Sequence, residues 1–354
     1  MTKKILICGN EALAEAAIRA GLDAYFGYPI TPQNEIPAYM ARRMPQEGRV
    51  FVQSESELAA INMVFGAAAT GDRAMTTSSS PGISLMQEGI SYLAGAQLPA
   101  VIANIMRGGP GLGNIGPSQS DYFQATRGGG HGDYRTIVLA PASVQELSDL
   151  THLAFDLADL YRTPVLILSD GFSGQMMEPV DLDKRPPPRK LPPKDWALTG
   201  TDGRKQRIVR SLWLAEGRLE ELNLELQAKY RQIEANEVLC EQHEIDDAEI
   251  VLVAYGITSR IVRSAVRQAR RKGIKAGWIR PITLWPFPTD LISAAADEPR
   301  IFLTVEMSHG QMVDDVKLAV AGKAPVLFHG CAGGAVPSVE DVLEQIEKLT
   351  LPVG

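Results

Sequence analysis

Gly27-Tyr28-Pro29-Ile30-Thr31-Pro32 ends one short apolar stretch of this chain, and Gln53-Ser54-Glu55-Ser56-Glu57 ends the next. Two prolines bracket the threonine in the first segment, and two carboxylates open a helical pattern in the second. In a parallel α/β sheet the carboxyl ends of the strands form the edge at which such sheets bind ligands. The two segments together predict a ligand pocket that contains a carboxylate.

Around these segments, residues 1–180 alternate between short apolar stretches and helical patterns. The predicted strands are 23–28, 49–53, 73–77, 99–106, 136–139 and 164–169. The predicted helices are 11–20, 33–43, 57–70, 83–94 and 144–161. Short apolar strands that alternate with helices are typical of a mostly parallel sheet with helices on both faces.

The remaining sequence divides into a connecting segment and a second α/β unit. Residues 184–194 are rich in proline and basic residues, which predicts a stiff, solvated linker. Residues 216–245 have the composition of a charged helix. We therefore predict three parts: a first domain over 1–182, a linker and connector helix over 183–245, and a second α/β domain over 246–354.

Composition excludes several classes of function. The chain has 354 residues, 45% hydrophobic and 22% charged, with a formal net charge of −7. The acidic balance argues against nucleic acid as a partner, and no apolar run approaches the roughly 20 residues of a membrane span. The beginning of the sequence does not have the pattern of a signal peptide, so we expect a cytoplasmic protein. Three isolated cysteines and five scattered histidines predict no metal or cluster site within this chain.

Each segment of the predicted pocket also has a purely structural interpretation. A carboxylate such as Glu57 is favoured in a first helical turn by the helix dipole. Thr31-Pro32 has the pattern of an N-cap and a first helical residue for a helix that begins at Gln33. Ser78-Ser79-Ser80-Pro81-Gly82 similarly has the pattern of a cap before a helix at Ile83. None of these signals establishes a binding site by itself.

Arg107 ends a long apolar stretch and opens a loop, residues 107–135, that contains nine glycines. Loops of this length are usually functional or mobile insertions. A guanidinium at this position is suited to bind a carboxylate through two hydrogen bonds. The structural alternative is an ion pair with Asp121 or Asp133.

Together these segments resemble the alpha subunit of the 2-oxoacid:ferredoxin oxidoreductases, which are thiamine-diphosphate enzymes. The matching segments are Gly9-Asn10-Glu11-Ala12, Gly27-Tyr28-Pro29-Ile30-Thr31-Pro32, Glu55-x-Glu57, Arg107-Gly108-Gly109-Pro110, Gln119-Ser120-Asp121, Tyr255-Gly256, Arg280-Pro281-Ile282-Thr283-Leu284-Trp285-Pro286 and Glu306-Met307-x-x-Gly310-Gln311-Met312. The resemblance covers nearly the whole chain apart from the linker and connector helix. It implies a pyrimidine-binding domain followed by a transketolase C-terminal-like domain.

The resemblance also implies roles for individual residues. Glu57, rather than Glu55, would contact the aminopyrimidine ring of thiamine diphosphate and be the catalytic carboxylate. Thr31 would hydrogen-bond the substrate, and Arg107 would bind its carboxylate. A set of three neighbouring residues would shape the pocket around the cofactor rings: Tyr28, Pro29 and Ile30.

What the sequence lacks implies partner subunits. No Gly-Asp-Gly…Asn motif for metal and diphosphate is present, and no cysteine array could carry electrons. Magnesium, the diphosphate site and an iron–sulfur cluster would come from a beta subunit, with gamma and ferredoxin-like delta subunits beside it. The reaction implied is oxidation of a 2-oxoacid with CoA to acyl-CoA, CO2 and reduced ferredoxin.

The substrate is predicted from the glycine loop. Residues 111–121 and 128–133 are most similar to the branched-chain type, which acts on 2-oxoisovalerate (3-methyl-2-oxobutanoate). A 2-oxoglutarate enzyme would need a further cationic group, and Arg127 or His131 could serve. Two other functions stay open at this stage: a different thiamine enzyme, and a catalytically silent scaffold subunit of the same fold.

Overall fold

A computed structural model describes residues 4–187 and 189–350 of the chain. Its strands are β1 (Ile5–Cys8), β2 (Ala24–Gly27), β3 (Val50–Gln53), β4 (Ala74–Ser78), β5 (Ala100–Met106), β6 (Ile137–Leu139), β7 (Pro164–Asp170), β8 (Met177–Val180), β9 (Cys240–His243), β10 (Ile250–Val253), β11 (Ala276–Pro281), β12 (Thr283–Trp285), β13 (Ile301–Glu306) and β14 (Val326–Gly330). Its helices are α1 (Gly9–Arg19), α2 (Glu35–Gln46), α3 (Glu57–Thr70), α4 (Ser80–Gly95), α5 (Tyr122–Arg127), α6 (Val144–Tyr161), α7 (Gly171–Gln175), α8 (Arg218–Asn236), α9 (Gly256–Arg271), α10 (Thr289–Ala295), α11 (Met312–Val320) and α12 (Val339–Thr350).

The first sheet has seven strands in the order β12-β6-β7-β5-β4-β2-β3. All neighbours pair in parallel except β12, which runs antiparallel to β6. Every residue of β5 and of β7 is buried, as expected for central strands that are covered on both faces. The predicted α/β fold is confirmed.

Local sequence explains the helix beside the predicted carboxylate. Ser56 is in an extended conformation, and its hydroxyl accepts a hydrogen bond from the backbone nitrogen of Ala59 at 3.2 Å. This N-cap fixes the first helical residue at Glu57. The helix ends at Thr70 and is followed by Gly71, which has a φ of 96°, a left-handed conformation that favours glycine. α3 therefore has the bounds that the sequence predicts.

The second sheet has five strands in the order β14-β13-β10-β11-β9. The prediction of one helix over 216–245 is wrong beyond residue 236. Buried side chains of α8 follow helical spacing at Leu222, Leu226, Tyr230 and Ile233 and then stop. The next segment, Cys240–His243, instead pairs antiparallel with β11.

The first sheet includes a strand from the C-terminal part of the sequence. The strand β12 lies in the C-terminal part of the sequence but pairs with β6 of the first sheet. A two-stranded ribbon of β1 and β8 lies apart from both sheets. The division of the chain into parts over 1–182, 183–245 and 246–354 stays a prediction. In the described ranges no helix combines the length and apolarity that crossing a membrane requires.

Gln119 joins the glycine loop to the second sheet. Its side-chain amide donates to the carbonyl oxygen of Tyr255 at 2.9 Å. Its side-chain oxygen accepts from the hydroxyl of Thr258 at 2.6 Å and from the backbone nitrogen of Met307 at 2.9 Å. Gln119 is almost completely buried, so these bonds are not exchanged with water.

A half-buried lysine joins the connector helix α8 to residues that precede it in the chain. The ammonium of Lys229 donates to the side-chain oxygen of Gln97 at 2.8 Å and to the carbonyl oxygen of Arg162 at 3.1 Å. Burial, and secondarily the charge of Arg162, lowers the pKa of Lys229 to about 7. An ammonium that loses its proton near neutrality makes the docking of α8 sensitive to pH.

We expect the Lys229→Met variant to differ from the wild type in how stability depends on pH. The folded-state pKa of Lys229 lies below the unfolded value of about 10.4, so the unfolded chain binds more protons between these values. The free energy of unfolding of the wild type should therefore rise relative to the variant above about pH 7, by up to about 1.4 kcal/mol per pH unit. The contribution is lost as the pH falls through about 7. Urea unfolding at about pH 7 and about pH 9 measures it, and parallel pH profiles would contradict the expectation.

The Gln119→Leu substitution should lower the free energy of unfolding by about 2 to 4 kcal/mol, because it leaves several buried polar groups without partners. Gln232→Leu, on the exposed side of α8, is the matched control and should change stability by less than about 0.5 kcal/mol. Chemical unfolding of both variants is the measurement. Equal changes in the free energy of unfolding of the two variants would show that the side-chain hydrogen bonds of Gln119 do not stabilise the fold.

Candidate functional site

The segments that follow five neighbouring strands lie at the same edge of the first sheet. The strands are β3, β2, β4, β5 and β7. The strands are parallel, so their carboxyl ends lie side by side. These segments carry the predicted site residues and the groups that hold them: 28–32, 54–57, 79–82, 107–117 and 171–172.

Glu57 lies buried at the start of α3, with 4% of its surface exposed. Its Oε1 accepts a hydrogen bond from the hydroxyl of Ser78 at 3.2 Å. No described residue donates a hydrogen bond to its Oε2. A side chain at Gly82 would collide with both Glu57 Oε1 and Ser78 Oγ, so glycine at this position leaves the carboxylate its space. The result is a buried carboxylate with one oxygen available to a ligand, whereas Glu55 is exposed.

The Thr31 segment does not start a helix as predicted. α2 begins at Glu35, and the Thr31-Pro32 peptide bond is cis. The carbonyl oxygen of Pro32 accepts hydrogen bonds from the side-chain amides of Asn10 at 2.9 Å and Gln175 at 3.1 Å. These distant side chains fix the segment in a turn, and the Thr31 hydroxyl accepts from Asn34 at 3.2 Å.

The predicted cap before Ile83 is also displaced. α4 begins at Ser80, and Ser79 precedes it in an extended conformation. The hydroxyl of Ser80 donates to the carboxylate of Asp121 at 2.5 Å, and the backbone nitrogen of Arg107 donates to the same hydroxyl at 3.1 Å. The start of α4 is therefore fixed by the glycine loop.

A buried polar chain that the sequence did not indicate lies beneath the Tyr28 backbone. The Tyr25 hydroxyl and the Thr77 hydroxyl are 2.7 Å apart. Thr77 donates to the side-chain oxygen of Gln33 at 2.6 Å, and the Gln33 amide donates to the carbonyl oxygen of Tyr28 at 3.2 Å. The available signal was the polar end of β4, where Thr76, Thr77 and Ser78 follow each other.

Arg107 connects two loops of the site. Its Nη1 donates to the carbonyl oxygen of Thr31 at 3.0 Å, and its Nη2 donates to the carbonyl oxygen of Leu112 at 2.8 Å. The alternative ion pairs with Asp121 and Asp133 are not among the described contacts. Nε of Arg107 is buried without an acceptor among the described residues. Nη1 and Nη2 each have a second N–H without a described acceptor, so part of the hydrogen-bonding capacity of the guanidinium is left for a ligand.

Asp121 is held by other partners. Its carboxylate accepts from Ser80 and, at 2.9 Å, from the side-chain amide of Asn104. Burial raises the pKa of Asp121 above its ordinary value. The residue immediately precedes α5, which lies in the stretch 107–135 that we expected to be a loop throughout. Tyr122 explains the helix, because it is buried and its hydroxyl donates to Asp315 at 2.6 Å.

The structure thus places four predicted residues at one edge of the sheet: Tyr28, Thr31, Glu57 and Arg107. It joins Arg107 directly to the Thr31 backbone, and it shows no direct hydrogen bond between Glu57 and either of them among the described residues. Pro29 is exposed and Ile30 is half-buried in the same turn. Their roles toward a cofactor or substrate stay predictions.

Two family descriptions cover most of the chain. Residues 15–203 match "Pyruvate flavodoxin/ferredoxin oxidoreductase, thiamine diP-bdg". Residues 248–342 match "Pyruvate:ferredoxin oxidoreductase core domain II". The two matches leave out the segment that contains the connector helix α8.

Curated relatives align along the full length. The chain is 54% identical to ketoisovalerate oxidoreductase subunit VorB of Methanothermobacter thermautotrophicus, over 97% of both chains. It is 38% identical to 2-oxoglutarate synthase subunit KorA of the same organism, over 99% of this chain and 100% of that one.

Solved structures show the same architecture. 2-Oxoglutarate:ferredoxin oxidoreductase from Magnetococcus marinus superimposes with a TM-score of 0.86 and 25% identity, covering 98% of this chain and 65% of that chain. A split-gene transketolase superimposes with a TM-score of 0.59 at 15% identity, which shows a shared fold alone. The chain belongs to the 2-oxoacid:ferredoxin oxidoreductase family and contains that family's thiamine-diphosphate-binding domain.

Proposed function

We propose that this chain is the subunit of a 2-oxoacid:ferredoxin oxidoreductase that contributes the pyrimidine-facing half of the active site. The reaction is oxidation of 2-oxoisovalerate (3-methyl-2-oxobutanoate) with CoA to acyl-CoA, CO2 and reduced ferredoxin. The observation that carries the proposal is the buried Glu57 carboxylate, with one oxygen free of described partners, at the edge where Arg107 joins Thr31. High identity to a ketoisovalerate subunit along the chain supports the choice of reaction.

The residues present fit thiamine diphosphate. The space above Gly82 beside Glu57 would be filled by any larger side chain, and the free Glu57 Oε2 suits a ring nitrogen of the aminopyrimidine. When bound, thiamine diphosphate supplies the carbon nucleophile and the electron sink for decarboxylation. Glu57 would hold the proton at the ring nitrogen, and its buried position shields that hydrogen bond from water.

The other residues orient the ligands. Tyr28, Pro29 and Ile30 border the cofactor rings from the turn after β2. Thr31 donates its hydroxyl to the substrate, and Arg107 binds the substrate carboxylate with the N–H groups that the backbone carbonyls leave free. This arrangement would hold the 2-oxo carbon at the reacting position and limit its rotation.

Partner subunits complete the site in this proposal. Within residues 4–187 and 189–350, no group of three or more metal-ligating side chains is placed to bind a metal ion. We therefore assign magnesium, the diphosphate site and an iron–sulfur cluster to a beta subunit. Gamma and ferredoxin-like delta subunits accompany it, and ferredoxin takes the electrons. The VorB and KorA relatives are likewise named as subunits.

The substrate choice is supported by where the two possible distal cations lie. Arg127 pairs with Asp315 at 2.8 Å and stacks over the Phe123 ring, with 4.8 Å from its guanidinium carbon to the ring centroid. His131 borders a separate cavity between α4 and α8. Neither side chain has a described hydrogen bond or ion pair with Arg107 or Thr31, so neither of these two cations is held at the edge where the 2-oxoacid would bind.

CoA-dependent reduction of a viologen dye by the purified complex tests the proposal. Pyruvate, 2-oxoisovalerate and 2-oxoglutarate are compared as substrates, and we expect the highest kcat/KM with 2-oxoisovalerate. Turnover that does not need CoA would indicate a different thiamine enzyme. A complex that is inactive with all three substrates would indicate a silent scaffold.

Glu57→Ala and Glu57→Gln should each lower kcat of the complex by at least about 100-fold, since both remove the carboxylate at the cofactor ring. Folding and assembly should persist, as judged by thermal unfolding and gel filtration. Glu55→Gln is the matched control, because Glu55 is exposed two residues away. Near wild-type turnover in the Glu57 variants would remove Glu57 from the catalytic role.

Arg107→Ala should raise KM for the 2-oxoacid about tenfold or more, because a charge-assisted hydrogen bond to the carboxylate is lost. KM for CoA should change little. Steady-state kinetics of the complex measure both constants, with Arg42→Ala at an exposed position of α2 as control. An unchanged KM for the 2-oxoacid would exclude Arg107 from the substrate site.

A further inference from the structure

We propose that Leu112 and Ile115 form the wall that selects an aliphatic side chain on the 2-oxoacid. The inference rests on the proposed function and names the residues that determine its specificity. Both residues lie in the segment 108–117, which we call the selector loop.

The backbone of the selector loop is tightly fixed. The backbone nitrogen of Gly108 donates to the carbonyl oxygen of Gly116 at 3.0 Å, and that of Asn114 donates to the carbonyl oxygen of Gly108 at 2.9 Å. Gly113 has a φ of 58°, and a side chain there would collide with the Gly108 carbonyl. The side-chain amide of Asn114 donates to the carbonyl oxygen of Gly333 at 2.7 Å. A loop held at both its ends and its tip presents its side chains in a defined geometry.

The two side chains that this rigid loop presents are aliphatic and open. Leu112 is 80% exposed and Ile115 is 66% exposed. Described hydrogen bonds of the loop join its own backbone groups, Arg107 and Gly333, whereas these two exposed side chains contribute little to its packing. Rigid presentation of unburied aliphatic groups next to a candidate site is a feature of a binding wall.

The backbone of the selector loop lies close to the Thr31 turn at two points. One guanidinium, that of Arg107, donates to the carbonyl oxygens of both Leu112 and Thr31, so these oxygens lie close together. At the second point, a side chain added at Gly171 would meet both Pro32 Cγ at 2.9 Å and the Ile115 carbonyl oxygen at 3.7 Å, so these two groups also lie close together. The backbone of Leu112 and Ile115 therefore lies next to the residues that bind the oxo and carboxylate groups in the proposed function, and we infer that their exposed side chains border the same site.

The chemistry of the selector loop matches an alkyl group. Residues 108–117 contain no charged side chain, so the loop offers nothing to a distal carboxylate. Contact with an isopropyl group removes apolar surface of both partners from water. One methylene in such a pocket changes selectivity about tenfold or more, which is enough to separate 2-oxoisovalerate from pyruvate.

The test compares Leu112→Ala, Ile115→Ala and Leu112→Lys in the purified complex. We expect each alanine variant to lower kcat/KM for 2-oxoisovalerate about tenfold and for pyruvate less than about threefold. Leu112→Lys should raise the ratio of kcat/KM for 2-oxoglutarate over 2-oxoisovalerate by at least about tenfold. Leu214→Ala, 87% exposed in the connecting segment, is the matched control and should leave all ratios unchanged.

Two results would overturn the inference. Unchanged substrate ratios in active, assembled variants would show that the substrate side chain lies elsewhere. Variants that fail to assemble, by gel filtration, would assign Leu112 and Ile115 to the contact with a partner subunit. A wild-type complex without 2-oxoacid activity is a separate result, since it contradicts the proposed function itself.

Discussion

The Arg107 guanidinium holds together the two loops on which the candidate site depends. It donates to the carbonyl oxygens of Thr31 and Leu112, and so connects the turn after β2 with the loop after β5. These strands are not adjacent, because β4 lies between them in the sheet. Parallel pairing alone therefore cannot fix the distance between the two loops. The guanidinium can fix this distance, because it is a charged donor with a rigid planar geometry.

Segments that follow strands of the second sheet help to fix this arrangement. Gln119, near the middle of the glycine loop, binds backbone groups of Tyr255 and Met307, and Asn114 binds the carbonyl oxygen of Gly333. The C-terminal part of the chain thus positions a loop of the first domain, in addition to any contact it makes with other subunits. This role gives a physical reason for the two family domains to occur together in one chain.

Features that depend on residues close together in the sequence could be predicted, whereas features that depend on distant residues could not. The start of α3 at Glu57 depends on a capping hydroxyl three residues from the backbone nitrogen that donates to it and on apolar spacing within one helix, and it was predicted correctly. The turn at Thr31-Pro32 depends on Asn10 and Gln175, which are 22 and 143 residues from Pro32. A local capping rule predicted a helix there and was wrong.

The same limit explains the elements and residues that were missed. The edge strand β9 is stabilised by pairing with β11 rather than by any periodicity of its own. Gln119 has partners 136 and 188 residues away, so nothing near it in sequence marks it as a connecting residue. The specific roles of Glu57 and Arg107 were predicted because their segments resemble a family.

The central claim is that this chain supplies the glutamate that faces the cofactor's pyrimidine ring. A structure of the assembled complex with thiamine diphosphate bound measures it directly, through the distance between the Glu57 carboxylate and the nearest ring nitrogen. The account predicts one carboxylate oxygen at about 2.7 Å from that nitrogen. A ring that lies more than about 4 Å from Glu57, beyond any hydrogen bond, or that contacts Glu55 instead, would contradict it.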